Sequence, residues 1–337
     1  MTTGVFKYID PASYITSKNH PSGINKPWGK VDDGGDSYMT KELTYSVHNI
    51  RGEEDQYGPD VSGFGVYHSP AQEKSFTDDA TIRKGYYAEV KALLREKLPG
   101  IKKIVIFDHT IRRRDKDSPR QPVQLVHVDQ TPNAAAVRVH RHLPADEAEE
   151  LLKGRYQIIN VWRPIGHPAS DFPLAVVDWR TTSPKDLIKI DLLYPKRTTS
   201  FSSSSSSSSP SAQSSKDSGY SSDDNDDRGK EKLPDSSAAQ DDTSNYEARG
   251  ETYAVAPNSG HKFFYVKDMT PDEAMFIKCF DSRSDRFSKG DEYGEGITGG
   301  VAGVADLTPH TAFEDPNTPA GAKGRQSIEV RCLVFYD

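Results

Sequence analysis

The sequence predicts a mainly β protein with a jelly-roll core, on three observations. β-branched and aromatic residues are concentrated in about eight short segments, Pro, Gly and Asp separate these segments, and only two stretches have helical periodicity. The strand-like segments read IKKIVIFDHTI, PVQLVHVDQ, YQIINVW, PLAVVDW, DLIKIDLLY, KFFYVKD, PHTAFED and SIEVRCLVFYD. About eight strands with helices packed outside them suit a double-stranded β-helix.

The clearer of the two predicted helices runs from Thr81 to Leu98. Its apolar residues recur at spacings of three and four, and Pro99-Gly100 ends the pattern. A second, shorter helix is predicted in ADEAEELLKG, directly after Pro144. Both helices are expected to flank the strands.

The chain is predicted to form one β domain interrupted by a long insertion. Residues 198–250 are rich in Ser and Asp and almost free of apolar side chains, so this segment is expected to be disordered. Strand-like sequence on both sides indicates that the insertion lies within one domain. The two parts of this domain are expected at residues 61–197 and 251–337. Residues 1–60 are expected to be an extension that packs on this core.

Composition narrows the class of protein. With 337 residues, 34% hydrophobic residues and a net charge of −7, the chain is expected to be a soluble cytosolic protein with no affinity for nucleic acid. No segment approaches the roughly 18 apolar residues of a membrane-spanning helix. Cys279 and Cys332 lie in apolar runs and are predicted to be buried free thiols. The oligomeric state is left open.

A candidate metal site begins in QLVHVDQTPNA. Residues two apart in a strand point to the same side, so His127 and Asp129 are placed to bind one ion at the sheet rim, before the turn that follows. His310, which starts the strand-like segment HTAFED, is the expected third ligand. Two histidines and one carboxylate leave positions on Fe(II) open for a co-substrate and O₂. The alternative is that His127 is an ordinary hydrogen-bonded histidine of the sheet.

The last strand-like segment, RQSIEVRCLVFYD, adds a candidate anion site. Arg325 and Ser327 point to one side of the strand, together with Glu329 and Arg331. An inward arginine is costly unless it meets an anion, and its fork suits a carboxylate. Arg325 with Ser327 is therefore predicted to bind the distal carboxylate of 2-oxoglutarate. Arg331 is a second candidate, with a structural ion pair as its alternative.

Taken together, these motifs resemble the Fe(II)/2-oxoglutarate-dependent oxygenases. More narrowly, the chain is similar to the family that includes gibberellin desaturase-like proteins, AsaB-type hydroxylase/desaturases and the CmcJ cephamycin-methoxylase component. The similar segments are HVDQTPNAA, INVWRPI, PLAVVDWRT, HKFFYVKDMTPDEAMFIKCFDS, PHTAFEDP and RQSIEVRCLVFYD. They cover most of the chain from about Val61 to Asp337, except the Ser-rich insertion.

The resemblance implies an enzyme that hydroxylates, desaturates or cyclises a small organic molecule in natural-product biosynthesis. Its cofactors would be Fe(II), 2-oxoglutarate as co-substrate, and O₂, with release of succinate and CO₂. No catalytic residue beyond the metal ligands is implied. Asn160 and Trp162, in INVWRP, would line the pocket, although Trp162 is equally suited to the core.

Three other interpretations compete with this one. HRHLPADEAEELLKG contains half of a cupin metal signature, with His140, His142 and Glu147 as its ligands. A zinc hydrolase would use the predicted metal ligands but would need neither Arg325 nor O₂. A non-catalytic accessory subunit is the third, because some members of the family have that role.

Overall fold

The structure is a computed structural model that describes residues 1–13, 19–32, 34–115, 118, 120–196, 242–284 and 301–337. These residues form two sheets packed face to face, so the predicted jelly-roll architecture is confirmed. In chain order the strands are β1 (Thr2–Ile9), β2 (Trp28–Lys30), β3 (Thr40–Asn49), β4 (Phe64–His68), β5 (Ile101–Arg113), β6 (His127–Val128), β7 (Tyr156–Pro164), β8 (Leu174–Val177), β9 (Leu187–Pro195), β10 (Tyr246–Val255), β11 (Phe263–Tyr265), β12 (Glu273–Asp281), β13 (His310–Ala312) and β14 (Gln326–Tyr336).

The strands divide into a large and a small sheet. Within the described ranges, the large sheet has nine strands in the order β1-β3-β11-β8-β13-β6-β10-β9-β2. The small sheet has five, in the order β4-β12-β7-β14-β5. Apolar side chains from the facing sides of the two sheets form the main core, which contains Val128, Trp162, Val176, Tyr253 and Leu333. The candidate site lies between the sheets, beside this core.

The outer side of the small sheet is covered by a helical segment. It comprises α1 (Asp79–Thr81), a π-helical turn (Ile82–Tyr86) and α2 (Tyr87–Lys97), and it corresponds to the longer predicted helix. Its buried residues Tyr86, Val90 and Leu94 pack in one cluster with Val161 and Phe276 of the sheet. The predicted packing of a helix outside the β core is confirmed. Two further helices are α3 (Pro132–His142) and α4 (Ala145–Leu151), the second of which matches the shorter prediction.

The N-terminal residues are part of the large sheet. β1 pairs antiparallel with β3, β3 pairs parallel with β11, and β2 pairs parallel with β9. Residues 1–60, expected only to pack on the core, therefore extend its main sheet. The sequence prediction also missed two strands of the small sheet. β4 (Phe64–His68) is an edge strand of this sheet, and β12 (Glu273–Asp281) pairs with it.

A buried ion-pair network stabilises the middle of the small sheet. Lys278 is fully buried, and its Nζ lies 2.7 Å from carboxylate oxygens of both Asp60 and Asp281. Arg155 pairs with the same two carboxylates. Since a buried cation without a partner is strongly destabilising, this network makes Lys278 a structural residue and not a component of the site. Cys279 and Cys332 are buried free thiols, as predicted.

The predicted insertion falls mostly outside the described residues, which stop at 196 and resume at 242. On its two sides, β9 and β10 form an antiparallel pair in which Pro195 lies opposite Tyr246. The Lys196 amide donates to the Asn245 carbonyl at 2.7 Å and closes the pair. Residues 246–250, expected to belong to the insertion, already lie in β10. No helix of the described ranges is long and apolar enough to cross a membrane.

Replacing residues 202–240 with Gly-Ser-Gly-Ser is expected to leave the fold unchanged. The β9–β10 pair is closed by its own hydrogen bonds. Shortening the connection lowers the free-energy cost of closing the loop by only about 1 kcal/mol. The midpoint of thermal unfolding should therefore stay the same or rise slightly. A lower midpoint, measured by circular dichroism beside the full-length protein, would show that the segment contributes to the folded core.

Candidate active site

Three side chains far apart in the sequence converge between the two sheets. Metal-ligating atoms of His127, Asp129 and His310 all lie within 4.8 Å of one another, and no other such group occurs among the residues that the structure describes. The convergence is a consequence of strand pairing, because His127 in β6 lies directly opposite His310 in β13. Their ring centroids are 4.4 Å apart. The structure thus brings together the three residues that the sequence predicts as metal ligands.

Backbone carbonyls orient both imidazole rings. His127 Nδ1 lies 2.8 Å from the Leu125 carbonyl oxygen, and His310 Nδ1 lies 3.0 Å from that of Thr308. A carbonyl oxygen only accepts, so each ring donates Nδ1–H and keeps a lone pair on Nε2. Burial, followed by the neighbouring His127, lowers the pKa of His310 to about 4. A neutral imidazole with a free Nε2 is the form that binds a metal ion.

The third side chain, Asp129, is held from the opposite sheet. Its Oδ2 accepts a hydrogen bond from Asn160 Nδ2 at 2.8 Å and one from Arg331 Nε at 3.1 Å. Its Oδ1 lies 3.4 Å from His127 Nε2. Burial opposes ionisation, but the guanidinium of Arg331 outweighs it and holds the pKa of Asp129 well below its usual range. Asp129 is therefore an oriented carboxylate whose Oδ1 faces the histidines.

The sequence after Asp129 turns the chain away from the site. Thr131 is the N-cap of α3, where its Oγ1 accepts from the Ala134 amide at 3.1 Å, and Pro132 occupies the first turn. The predicted strand over PVQLVHVDQ is consequently reduced to the two residues of β6, and the helix that follows was not predicted. The cupin alternative is wrong, because His140 and His142 end this helix and Glu147 lies in α4 instead of on adjacent strands.

A row of polar side chains covers the inner side of the small sheet next to the three-residue cluster. Strand register places Ser327 beside Arg112, Glu329 beside Thr110, and Arg331 beside Asp108. On the other flank, Trp162 lies opposite Glu329 and Asn160 opposite Arg331. The alternation predicted for Arg325, Ser327, Glu329 and Arg331 is confirmed, since all four line one narrow cavity with His127, Asp129 and His310.

Within this cavity Arg325 and Arg331 have different surroundings. Arg331 uses all three guanidinium nitrogens on protein groups, with Asp129 at Nε, Asp108 at Nη1 and Glu329 at Nη2. Arg325 is only 3% exposed, donates Nη1 to the Phe172 carbonyl at 2.8 Å, and has no hydrogen-bond partner at Nε among the described residues. The structure therefore leaves Arg325 with capacity to bind an anion.

Two further residues define the space around Arg325. Its guanidinium carbon lies 5.6 Å from the ring centroid of the buried Trp162, so this indole forms one wall of the cavity. Arg112 also lines the cavity, and burial followed by the proximity of Arg112 lowers the pKa of Arg325. Sequence reasoning did not single out Arg112, which stands in a run of three arginines, Arg112 to Arg114. The available signal was the alternation of polar residues at positions 108, 110 and 112 of a strand.

A second and larger cavity opens on the same cluster. Its volume is about 300 Å³, and it is lined by parts of β9, β10, α3 and the segment around β2. His127 and Asp129 line both cavities. The three-residue cluster thus lies between a small, arginine-lined cavity and one large enough for an organic molecule.

Comparison with known proteins supports the class that the sequence resembles, the Fe(II)/2-oxoglutarate-dependent oxygenases. The family model described as "Oxidoreductase/YMDC permease-like domain" matches residues 7–213 and 231–335, and the chain belongs to this family. Hydroxylase/desaturase efuI of Hormonema carpetanum is 28% identical over 325 residues, covering 92% of this chain and 88% of that protein. Fe(II)/2-oxoglutarate-dependent dioxygenase nvfI of Aspergillus novofumigatus is 26% identical over 296 residues, covering 86% and 81%.

The sequence-based resemblance to hydroxylase/desaturases of the AsaB type is confirmed. Hydroxylase/desaturase asaB of Aspergillus flavus is 33% identical over 199 residues, which cover 58% of this chain and 62% of that protein. A solved structure titled "iron and alpha-ketoglutarate-dependent endoperoxidase NvfI" superposes with a TM-score of 0.65 at 21% identity, covering 99% of this chain and 97% of that one. This likeness supports the jelly-roll fold.

Asn160→Ala is expected to weaken Fe(II) binding by about 10- to 100-fold, because it removes an outer hydrogen bond that orients Asp129. Asn258→Ala is the matched control, since the Asn258 amide donates to Asp186 at 2.8 Å, away from the cluster. Anaerobic Fe(II) titration measures both. Equal affinities in the two variants would show that Asn160 does not orient a metal ligand.

Proposed function

We propose that the protein is a non-haem Fe(II)- and 2-oxoglutarate-dependent oxygenase that hydroxylates, desaturates or cyclises a small organic molecule in natural-product biosynthesis. One observation carries the proposal: two histidines and one aspartate converge beside a buried arginine whose Nε has no hydrogen-bond partner in the described part of the chain. A metal site alone suits several kinds of enzyme. A metal site adjoining a cavity for a carboxylate suits a 2-oxoglutarate oxygenase in particular.

The donor set fits Fe(II). His127 and His310 would each supply a neutral Nε2, and Asp129 would supply Oδ1, because its Oδ2 is bonded to Asn160 and Arg331. Two imidazoles and one carboxylate are the ligands of non-haem Fe(II) oxygenases, and they leave coordination positions open. An iron held by these three residues, with 2-oxoglutarate bound, would supply O₂ activation coupled to oxidative decarboxylation, with succinate and CO₂ as products.

The narrow cavity is proposed to hold 2-oxoglutarate. Arg325 would bind its distal carboxylate through the free Nε edge, with Ser327 and Arg112 as neighbours on the same wall. A buried guanidinium without an anion is costly, so an anionic co-substrate would stabilise this cavity as well as bind to it. Trp162 would exclude water from the arginine. A zinc hydrolase would have no use for this arrangement.

Arg331 and Asn160 are assigned a positioning role and not a direct co-substrate role. Both bond Asp129 Oδ2, and the remaining Arg331 nitrogens bond Asp108 and Glu329. They would fix the orientation of the carboxylate and keep it ionised. The organic substrate would occupy the larger cavity, which reaches the same His127 and Asp129. A small-molecule substrate suits an oxygenase of this family, and location in the cytosol remains a prediction from the sequence.

Asp129→Ala and His310→Ala are each expected to abolish turnover and to reduce Fe(II) binding by at least 100-fold, because each removes one of three protein ligands. Metal content after anaerobic loading and gel filtration measures the effect. Glu42→Gln is the control, because it alters an exposed carboxylate. Asp186→Asn is unsuitable for this purpose, because Asp186 pairs with the buried His261. Near-stoichiometric iron in Asp129→Ala would contradict the proposed ligand set.

Arg325→Gln is expected to raise the Kd for 2-oxoglutarate strongly and leave Fe(II) affinity unchanged. Loss of a buried partner of a charged group costs about 2–5 kcal/mol, or roughly 30-fold to several-thousand-fold in affinity. Anaerobic calorimetric titration of the Fe(II)-loaded protein gives this Kd without turnover. The exposed Arg95, changed to Gln, is the matched control.

The corresponding Arg331→Gln variant separates the two arginines. Because Arg331 contacts Asp129 instead of the free part of the cavity, its loss should weaken Fe(II) binding more than it weakens 2-oxoglutarate binding at saturating iron. The opposite ranking would assign the co-substrate to Arg331. An unchanged Kd in both variants would remove the basis for a 2-oxoglutarate enzyme.

A further inference from the structure

We infer that the substrate is an elongated organic anion whose negatively charged group binds Arg141, at the end of the larger cavity away from the metal ligands. This inference rests on the proposed function, because it assumes that the larger cavity is the substrate site. It goes beyond that function by naming the chemical class of the substrate and the residue that selects it.

One side of α3 forms a wall of this cavity along its whole length. Ala134, Val137, Arg138 and Arg141 all line the cavity, and their spacing of three, four and seven residues places them on one helical face. α3 begins directly after Asp129 and Gln130, so position along the helix measures distance from the cluster. Arg141 lies seven residues beyond Ala134, or about 10 Å further along the axis at 1.5 Å per residue.

Arg141 has unused binding capacity. Its guanidinium donates one weak hydrogen bond, from Nη2 to the Arg249 carbonyl at 3.5 Å, and it forms no ion pair with any residue that the structure describes. The side chain is only partly exposed. A guanidinium that lines a cavity without a carboxylate partner is suited to bind the carboxylate, sulfonate or phosphate of a ligand.

The carboxylates that line the cavity do not neutralise Arg141. Glu251 pairs with Lys26, and Asp36 is hydrogen-bonded to Tyr38. Asp129 is bonded from the small sheet, as described above. Each acid therefore has a partner of its own, and the region of the cavity around Arg141 keeps a positive charge.

Two more arginines line the same cavity as Arg141, and one of them, Arg249, is paired with Glu247, whose Oε1 lies 3.3 Å from Arg249 Nε. The Arg138 guanidinium lies 4.8 Å from the Phe107 ring centroid, and that of Arg249 lies 4.7 Å from the Tyr194 ring centroid. Aromatic contacts of this kind hold a guanidinium in place. The positive charge offered to a ligand at this end is therefore that of Arg141 on α3.

The rest of the cavity suits an apolar body with a polar group near the metal. Leu125, Ile190, Leu192 and Val137 line its walls. Next to Asp129, Gln130 is 3% exposed, lines the cavity and has no hydrogen-bond partner for Oε1 among the described residues. A buried acceptor normally has a partner, which a hydroxyl or amide N–H of the substrate would provide.

The test uses a pair of fluorescent probes that differ in one charged group. 8-Anilinonaphthalene-1-sulfonate carries a sulfonate, and N-phenyl-1-naphthylamine has the same aromatic body without it. Both are titrated into metal-free full-length protein, so the result depends on neither iron nor 2-oxoglutarate. We expect the anionic probe to bind the wild type at least about tenfold more tightly than the neutral one.

Arg141→Gln is expected to lower affinity for the anionic probe about tenfold and to leave the neutral probe unchanged. Arg141→Lys keeps the charge and should recover most of the affinity, and Arg95→Gln, which removes an exposed arginine from α2, should have no effect. Comparison of thermal midpoints identifies any variant that is unfolded. In that case the preference of the wild type for the anionic probe over the neutral one still tests the inference.

Equal affinity of the wild type for the two probes would overturn the inference, as would an unchanged affinity for the anionic probe in folded Arg141→Gln. These outcomes are distinct from a failure of the proposed function. An unchanged Kd for 2-oxoglutarate in both Arg325→Gln and Arg331→Gln would refute the oxygenase and leave an anion-binding cavity, whereas failure of the probe test alone would leave the oxygenase with a neutral substrate.

Discussion

The candidate site depends on one interaction, the pair of hydrogen bonds that Asp129 Oδ2 receives from Asn160 and Arg331. Asp129 follows a strand of the large sheet, whereas its two partners lie on neighbouring strands of the small sheet. These bonds span the gap between the sheets at the point where the two histidines meet. They orient one carboxylate oxygen toward the histidines, so the packing of the jelly roll determines the geometry of the metal site.

This arrangement places several charges in the interior at a cost in solvation. Arg331 offsets the cost by pairing with three carboxylates, and a network of this kind is stable only when each member is bonded. Arg325 breaks that rule, because its Nε has no partner among the described residues. Unsatisfied buried groups are uncommon in folded proteins and occur at functional sites. The contrast between the two arginines is what distinguishes a structural ion pair from a ligand-binding residue.

Much of the site follows from local sequence rules. A period of two places His127 with Asp129 and Arg325 with Ser327, and the position of His310 at the start of a later strand-like segment makes it the predicted third ligand. The longer helix follows from its apolar spacing. The role of Asn160 does not follow in this way, because it depends on the register between β7 and β14, which pairs residues distant in the sequence.

Other features required the three-dimensional structure. α3 was missed because the residues after Asp129 were interpreted as a turn, whereas Thr131 caps a helix that has Pro132 in its first turn. Arg112 was not singled out because three arginines in succession, Arg112 to Arg114, do not show which side chain points inward. The cavity lined by α3 is formed by elements from four parts of the chain, so no single motif indicates the charge of the substrate that it would bind.

The central claim, that the protein couples Fe(II) to 2-oxoglutarate oxidation, is tested most directly by succinate formation. Anaerobically prepared protein is loaded with Fe(II) or Zn(II), given 2-oxoglutarate, and mixed with air-saturated buffer. The account predicts that the Fe(II)-loaded protein releases succinate and CO₂ in equal amounts, faster than free Fe(II) does, and that the Zn(II)-loaded protein releases neither. Succinate formation no faster than in protein-free buffer, in the presence of candidate organic acids, would contradict it.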